Sequence, residues 1–277
     1  MKTLTQHIVK SLIKPREASS HKGTHGHAFL VAGNVGRMGA AVIASRACLR
    51  SGVGLLTVNV PENERVILQT SIPEAMLIFR DNSDYDLSVF SSLGIGCGIG
   101  TERESVDLLT HFIANYKKPM LLDADALNII SEHKLLLRKI PHHSIITPHP
   151  KEFDRLFGIH HSIDKRIDTA IKKAKELNIT IVLKGHKTLI TSNGELFFNS
   201  TGNAGLAKGG SGDALSGIII ALLAQGYTPF IAAKIGVFMH GLAADITLKT
   251  QSMESMLITD VIENLGTAFK EVMFEIL

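Results

Sequence analysis

A glycine-rich run that ends in an aspartate, Gly209-Gly-Ser-Gly-Asp213, stands immediately before a long apolar segment. Glycine lets the backbone come close to a ligand and point successive N–H groups at it. The helix predicted to start here adds the positive end of its dipole, so the run suits phosphate oxygens. Asp213 could then accept a proton from a hydroxyl held beside that phosphate. The alternative is an ordinary helix N-cap, a position that favours aspartate.

A second candidate for phosphate binding follows another β-like run. It consists of Lys184, Gly185, His186, Lys187 and Thr188. A lysine at the end of a strand, followed by glycine, fits a loop that wraps a nucleotide phosphate. Read alone, the same residues fit a β-turn with solvated lysines equally well.

Two further polar clusters also follow β-like runs. In Thr147-Pro-His-Pro-Lys-Glu152 the two prolines hold His149 in an extended conformation, where it either contacts a ligand or has a structural role. Glu152 could start a helix or hold the water shell of a magnesium ion. Asp123 and Asp125 could each cap a helix or meet magnesium or a ligand hydroxyl, and Asp123 is the better candidate.

Alternating strand and helix patterns would position these clusters. The predicted strands are Ala28–Gly33, Leu55–Val60, Leu93–Ile95, Met120–Asp123, Ser144–Thr147 and Ile179–Leu183, followed by a hairpin of Thr188–Thr191 and Glu195–Asn199. The predicted helices are Gly39–Ser51, Asp164–Leu177, Ala214–Ala224, Pro229–Ile246 and Ile258–Ile276. This alternation predicts an α/β fold with a mainly parallel sheet covered by helices on both faces, which binds ligands at the carboxyl ends of its strands.

Composition limits the classes of function. The 277 residues are 45% hydrophobic and 20% charged, which is ordinary for a globular protein with a sizeable core, and no repeat or linker divides them, so we expect one domain over residues 1–277. A net charge of +3 without a basic run argues against nucleic acid. Cys48 and Cys97 lack metal-ligand spacing, which favours a reduced, cytoplasmic setting. We find no signal peptide, and the longest apolar runs are shorter than the roughly 20 residues that span a bilayer.

Taken together, the clusters resemble one family, the ADP-dependent NAD(P)H-hydrate dehydratases of the ribokinase-like superfamily. The matching segments are His21–Gly23, Gly39–Ala41 leading to Arg50–Leu55, Gly98–Gly100, Leu122–Asn128, Thr147–Glu152, Lys184–Gly185, Asn203–Gly205, Gly209–Asp213 and His240–Asp245. The Gly-Ser-Gly-Asp element is shared by the whole superfamily. The segments that begin at His21, Leu122 and Thr147 are much more specific to the dehydratases.

The resemblance implies a fold and a reaction. The fold is the ribokinase-like three-layer sandwich, with a mainly parallel central sheet and helices on both faces. The reaction repairs the S-epimer of hydrated NADH or NADPH. The hydroxyl at C6 of the nicotinamide ring is phosphorylated by ADP, and phosphate then leaves, so that NADH or NADPH, AMP and phosphate are formed. Magnesium, ADP or ATP as co-substrate, and a homotetramer are also implied.

The resemblance implies roles for individual residues. Asp213 is the expected catalytic base. The residues expected to bind the hydrated dinucleotide are Ala40, Gly98, Gly100, His149, Asn203 and Asp213. The residues expected to bind the adenine nucleotide are Lys184, Gly185, His186, Lys187, Thr188, Gly210 and Gly212. No side chain is assigned to a metal, because magnesium is expected to accompany the phosphates.

Two positions depart from the family pattern. Cys97 stands where the family usually has proline, and Ser211 stands where a small residue or glycine is common. Neither change is expected to touch a group that does chemistry.

Two other functions compete with the dehydratase. A small-molecule kinase of the same superfamily, acting on a thiazole or pyrimidine alcohol, would share Gly209–Asp213 but would not need the His21 and Leu122 segments. A non-catalytic nucleotide sensor would make Asp213 dispensable.

Overall fold

A ten-stranded sheet forms the centre of the computed structural model, which describes residues 2–82 and 85–274. In chain order the strands are β1 (Lys2–Leu4), β2 (His27–Val31), β3 (Leu55–Val60), β4 (Met76–Phe79), β5 (Ser92–Ile95), β6 (Met120–Leu122), β7 (Ile145–Ile146), β8 (Thr180–Leu183), β9 (Leu189–Ser192) and β10 (Glu195–Asn199). Across the sheet their order is β1-β10-β9-β8-β7-β6-β5-β2-β3-β4. Neighbours are parallel except at β9, which runs antiparallel to β8 and β10 as the predicted hairpin requires.

Helices cover both faces of the sheet. In chain order they are α1 (Gln6–Leu12), α2 (Met38–Arg50), α3 (Arg65–Ser71), α4 (Arg103–Asn115), α5 (Asp125–Glu132), α6 (Pro150–Phe157), α7 (Ile163–Glu176), α8 (Ser211–Ala224), α9 (Pro229–Thr247), α10 (Ile258–Glu263) and α11 (Leu265–Met273). Strand β2 shows how one strand serves both layers, since successive side chains point to opposite faces. Ala28 and Leu30 pack with α2, α8 and α9, whereas Phe29 and Val31 pack with α4 to α7. The predicted three-layer α/β architecture is confirmed.

Helix α8 packs very closely against helix α2. Helices α8 and α2 approach so closely that a Cβ added at Gly217 would lie 2.1 Å from the carbonyl oxygen of Ala44 and 3.0 Å from the Cβ of Ala47. Only a residue without a side chain lets α8 pack here against α2 while it also contacts β2 and β5. This contact fixes the position of α8, the helix that begins with the phosphate-binding candidate.

We expect Gly217→Ala to destabilise the protein by about 1–3 kcal/mol, the usual range for overpacking a core. Gly266→Ala is the matched control, because a Cβ there meets nothing within 4 Å. The exposed helical position should gain up to about 1 kcal/mol from the better helix former. Urea unfolding of both variants measures the two effects, and equal midpoints would contradict the packing argument.

The carboxyl-terminal part of the chain differs from the prediction. A single helix over Ile258–Ile276 was expected, but α10 ends at Glu263 and α11 starts at Leu265, while residues 275–277 lie outside the described part. Asn264 separates the two helices. Its side-chain amide donates to Thr247 Oγ1 at 3.0 Å and to the Asp260 carbonyl at 3.1 Å. A tertiary contact with α9 therefore outweighs the helical periodicity.

Helix α9 is long and apolar enough to cross a membrane when judged by length and composition alone. In this structure 78% of its most apolar 18-residue window is buried among the other helices and the sheet. It contacts β7, β8, β9 and β10 and forms the centre of one helical layer.

Candidate active site

The predicted functional loops meet at the carboxyl edge of the sheet. Backbone pairing continues just past the ends of the strands, with Asp123 N donating to the Ile95 carbonyl at 3.2 Å and Lys184 N donating to the Pro148 carbonyl at 2.9 Å. The strand order reverses between β2 and β5, so the loops after these two strands leave the sheet in opposite directions. Such a switch point opens a crevice for ligands.

A buried ion pair lies in this crevice. Asp123 is 1% exposed, and its Oδ1 lies 2.9 Å from Lys184 Nζ. Its Oδ2 accepts a hydrogen bond from Ser216 Oγ on α8 at 2.8 Å. Burial opposes the charge of Lys184, but the carboxylates of Asp123 and Glu152 outweigh it and raise the lysine pKa. The ammonium group is therefore a permanent cation.

The amino terminus of α8 lies beside this cation. A Cβ added at Gly212 would lie 3.2 Å from Lys184 Nζ and 3.5 Å from Asp123 Oδ2. The first turn of α8 has no side-chain cap, so its free N–H groups and the dipole are available to a ligand. Free amides and a fixed ammonium at one point are suited to the oxygens of a phosphate.

Asp213, in the first turn of α8, has the properties of a general base. Burial, reinforced by the neighbouring charge of Asp123, raises its pKa from 3.8 to about 6. A hydrogen bond from Cys97 and the charge of Lys184 act in the opposite direction. A base whose pKa lies near neutrality is deprotonated at pH 7 and still has useful proton affinity.

On one side of Asp213 there is a cavity of about 600 Å³. Among the residues predicted for ligand binding, those that line it are His149, Lys184, Gly185, His186, Thr188, Asn203 and Gly212. The apolar part of its wall comes from Ala204, Leu206, Ala207, Leu215 and Val237. The cavity thus combines an apolar wall with a cationic end at Lys184. His149 and Asn203, predicted for the dinucleotide, share it with residues predicted for the adenine nucleotide, whereas Lys187 and Gly210 are not among its lining residues.

The remaining residues predicted for the dinucleotide, Ala40, Gly98 and Gly100, lie at the start of α2 and in the loop after β5. Gly98 has a φ of 66°, and a Cβ there would lie 2.8 Å from the Cβ of Ala40. Gly100 N donates to Asp125 Oδ2 at 2.9 Å, which holds the loop after β5 in place. Asp213 therefore adjoins both places: its neighbour Gly212 lines the cavity, and Cys97, the residue before Gly98, lies beside its carboxylate.

Two predicted binding residues use their polar atoms within the protein. His149 is the N-cap of α6, and its Nδ1 accepts from the backbone N of Lys151 at 3.1 Å and of Glu152 at 3.3 Å. This bonding pattern makes Nε2 the protonated nitrogen, so His149 can only donate to a ligand. Asn203 Nδ2 donates to Asp245 Oδ1 at 2.9 Å, and its Oδ1 accepts from Gly205 N at 3.0 Å. The histidine thus has a structural role, and its Nε2 lies 3.4 Å from Glu152 Oε1 on a partly exposed side chain that a ligand can also reach.

Comparison with known proteins identifies the chain's relatives. The family model of the NAD(P)H-hydrate dehydratases matches residues 28–266. The chain belongs to the NAD(P)H-hydrate dehydratase family. It is 38% identical over 257 residues to the ADP-dependent (S)-NAD(P)H-hydrate dehydratase of Neisseria meningitidis, covering 89% of this chain and 86% of that one. The corresponding enzyme of Bacillus subtilis is 34% identical over 274 residues, with 96% and 97% covered.

The chain spans about half of the family's bifunctional members. The bifunctional NAD(P)H-hydrate repair enzyme of Moorella thermoacetica is 35% identical over 94% of this chain, which covers 52% of the relative. Among solved structures, the Bacillus subtilis dehydratase co-crystallised with ATP/Mg²⁺ superimposes with a TM-score of 0.87 at 31% identity, with 98% of each chain covered. The hydroxyethylthiazole kinase of Pyrococcus horikoshii gives a TM-score of 0.64 at 14% identity, covering 94% of this chain and 91% of the kinase, and shows the shared ribokinase-like fold alone.

One segment that pointed to the dehydratase family lies far from the site. His21–Gly23 precedes β2, and the turn that follows it packs under the amino ends of the strands, where Leu55 N donates to the Gly26 carbonyl at 3.0 Å. A Cβ at Gly26 would lie 1.9 Å from the carbonyl oxygen of Ala224, at the carboxyl terminus of α8. The segment therefore anchors the end of α8 opposite to Asp213 and has no contact with the site.

Three residues at the site were missed by sequence reasoning. Ser216 binds Asp123, and its spacing of three residues from Asp213 on a helix was the signal for it. His240 lines the cavity, and its buried Nε2 has no hydrogen-bond partner among the residues that the structure describes. Burial together with Lys184 lowers the pKa of His240 to about 4. No spacing rule indicated His240. Cys97 was expected to touch no chemical group, and that expectation is wrong, because its thiol lies beside Asp213.

Cys97, Asp123 and Asp213 offer donor atoms within 4.8 Å of one another. Magnesium prefers oxygen ligands and usually keeps water and substrate phosphates. One member of this group is sulfur, and both oxygens of Asp123 are already engaged by Lys184 and Ser216. The residues fit a magnesium ion carried by the phosphates of a nucleotide better than an ion held directly by the protein.

Proposed function

We propose that the chain is an ADP-dependent (S)-NAD(P)H-hydrate dehydratase, which returns the S-epimer of hydrated NADH or NADPH to the reduced cofactor. The observation that carries this proposal is the position of Asp213. It lies in the first turn of α8, next to Gly212 of the cavity wall and beside Cys97 of the loop that contains Gly98, and its pKa is close to neutrality. The relatives of similar length have the same activity in their names.

The cavity suits the adenine nucleotide. Its apolar wall would receive the base, and its cationic end, Lys184 with the amide of Gly212, would receive the phosphates, with Gly210 just before it in the chain. The glycine group of Gly98 and Gly100, with Ala40, would receive the nicotinamide half of the hydrated dinucleotide. His149 would donate from Nε2 to an oxygen between the two ligands.

The chemistry requires one base and one stabilised charge. Asp213 would take the proton of the C6 hydroxyl while the hydroxyl oxygen attacks the β-phosphorus of ADP and AMP leaves. The C6–O bond then breaks, phosphate departs with the bonding electrons, and loss of a proton from the neighbouring carbon restores the double bond. The ammonium of Lys184 and the amides at the start of α8 would stabilise the charge on the transferred group. Bound magnesium would supply further charge neutralisation on the phosphates.

The proposal includes a phosphoryl donor, a metal ion, an oligomeric state and a cellular location. We infer ADP as the phosphoryl donor, with ATP as an alternative, and magnesium as the accompanying ion, in keeping with the relatives' names and the ATP/Mg²⁺ co-crystal. A homotetramer follows from the family resemblance. We also infer a cytoplasmic location, a single domain over residues 1–277, and no nucleic-acid or membrane partner; composition and the continuous sheet support these inferences.

A repair assay tests the function. Purified protein with hydrated NADH, ADP and magnesium should restore the absorbance band of the reduced nicotinamide and produce AMP and phosphate in equal amounts. Parallel reactions with ATP and with hydrated NADPH would show which phosphoryl donor and which hydrated cofactor the protein prefers. Failure to restore the band, with phosphorylation of a thiazole or pyrimidine alcohol instead, would favour the kinase.

A further inference from the structure

The backbone on both sides of Cys97 is held by close contacts. Gly96 has a φ of 133°, and a Cβ there would lie 1.8 Å from the carbonyl oxygen of Asp123. Gly98 has the close contact with Ala40 described above. The carbonyl of Cys97 itself accepts from Gly33 N at 2.8 Å. Because helix α2 and the segments that follow β2 and β6 all contact this turn, the backbone of Cys97 has one well-defined position.

That position is next to the proposed base. Cys97 is 1% exposed, and its Sγ lies within 4.8 Å of a carboxylate oxygen of Asp213 and one of Asp123. At this separation the thiol interacts with the Asp213 carboxylate and lowers its pKa. Burial, with the charges of Asp213 and Asp123, raises the thiol pKa well above its ordinary value. The group therefore remains S–H, and it donates while the carboxylate accepts.

We propose that Cys97 is a positioning residue for Asp213: its S–H group binds one carboxylate oxygen and leaves the other directed at the substrate hydroxyl. This inference rests on the proposed function, because it assumes that Asp213 is the base. The other charged groups that face Asp213 are Asp123, Lys184 and Asp125. Among these, only Lys184 favours the charged carboxylate, so the thiol is the second stabilising group.

Removing the thiol should change the pH dependence of the reaction. In Cys97→Ala the carboxylate loses a hydrogen bond to its charged form, so the pKa of Asp213 rises and the base is protonated at higher pH. The acidic limb of kcat/KM should move up by roughly half a pH unit, because thiols are weak donors. Below pH 6 kcat/KM should fall about threefold, whereas it should stay nearly constant above pH 8.

Two variants separate positioning from packing. Cys97→Ser keeps a donor and should return the acidic limb toward its original position. Cys48→Ala removes the other cysteine, which is buried in the hydrophobic core that includes α8, where burial raises the pKa of its thiol. Cys48→Ala should lower the stability of the fold without shifting the acidic limb of the kcat/KM profile. A Cys97→Ala profile that is scaled down uniformly at every pH would overturn the proposal.

A spectroscopic measurement is independent of catalysis. In Cys48→Ala the remaining thiol is Cys97, since the sequence contains two cysteines. Its S–H stretching band should lie at lower frequency than that of a free thiol and should shift when Asp213 is protonated near pH 6. Adding Asp213→Asn should abolish the pH response. If the S–H band does not change with pH, the inference is overturned even if the enzyme is active. If the band responds to pH but the protein has no repair activity, the bond between Cys97 and Asp213 is upheld and the proposed function is contradicted.

Discussion

Asp213→Asn should lower turnover of hydrated NADH with ADP by roughly 100- to 10,000-fold, the contribution of a positioned base. Asparagine has nearly the same size and can still bind Cys97, but it cannot accept the hydroxyl proton. Initial rates at saturating substrate measure the effect, and the Kd for ADP is the control, since the cavity is left intact. Unchanged turnover in Asp213→Asn would show that Asp213 is not the base. If the parent protein and the variant both bind ADP but neither turns over hydrated NADH, the protein is a nucleotide sensor.

The same substitution should stabilise the fold. The pKa of Asp213 is raised from 3.8 to about 6, so the charged carboxylate is less stable in the folded state than in the unfolded state. The penalty is absent at low pH, grows between these two pKa values and is complete above pH 6. Its upper bound is about 3 kcal/mol, and partial solvent access reduces it to about 1–2 kcal/mol. Urea unfolding should show Asp213→Asn as more stable than the parent at pH 8, with the gap narrowing as pH falls. A less stable variant at pH 8 would contradict the raised pKa.

Lys184→Met should have the second large effect. The substitution leaves Asp123, which is 1% exposed, with a hydrogen bond from Ser216 but without its cation. Breaking a buried pair costs about 3–5 kcal/mol, and we expect the lower end because the Lys184 side chain is 21% exposed. Turnover should also fall by at least tenfold, because the transferred phosphoryl group loses its cation.

The double variant Asp123→Asn/Lys184→Met tests the origin of this loss. It removes both charges together, so most of the stability should return while turnover remains low. Lys173→Met is the matched control, since Lys173 pairs with Glu176 at 2.9 Å on an exposed face of α7. That pair should contribute less than about 1 kcal/mol. If the double variant is as unstable as Lys184→Met, the loss does not arise from an uncompensated charge.

Substitutions of Lys184 and of Asp123 should shift the acidic limb of the activity profile in opposite directions. Lys184 lowers the pKa of Asp213 and Asp123 raises it. The acidic limb of any residual activity should therefore move to higher pH in Lys184→Met and to lower pH in Asp123→Asn.

The sequence determined the local features of this protein. Apolar runs, most of them followed by glycine or proline, predicted β2, β3 and β5 to β8, and Ser192-Asn193-Gly194 predicted the hairpin, because these signals depend on neighbouring residues. Glycine followed by Asp213 at the start of an apolar helix indicated the phosphate-binding candidate for the same reason. Since ligands bind at the carboxyl ends of parallel strands, the sequence also indicated that the clusters of Asp123, His149 and Lys184, which follow strands, belong to a ligand site. The short strands β1 and β4 were not predicted.

Only the tertiary structure decided which atoms meet. Ser216 and Asp123 are 93 residues apart in the chain, and their bond depends on how closely α8 packs against α2 and the sheet. The thiol of Cys97 faces Asp213 because two glycines fix the turn after β5 against β6 and α2. The His21 segment is equally distinctive in sequence, yet it lies at the opposite edge. Sequence patterns identify which residues can do chemistry, but the protonation state and partner of each depend on burial and on distances between elements far apart in the chain.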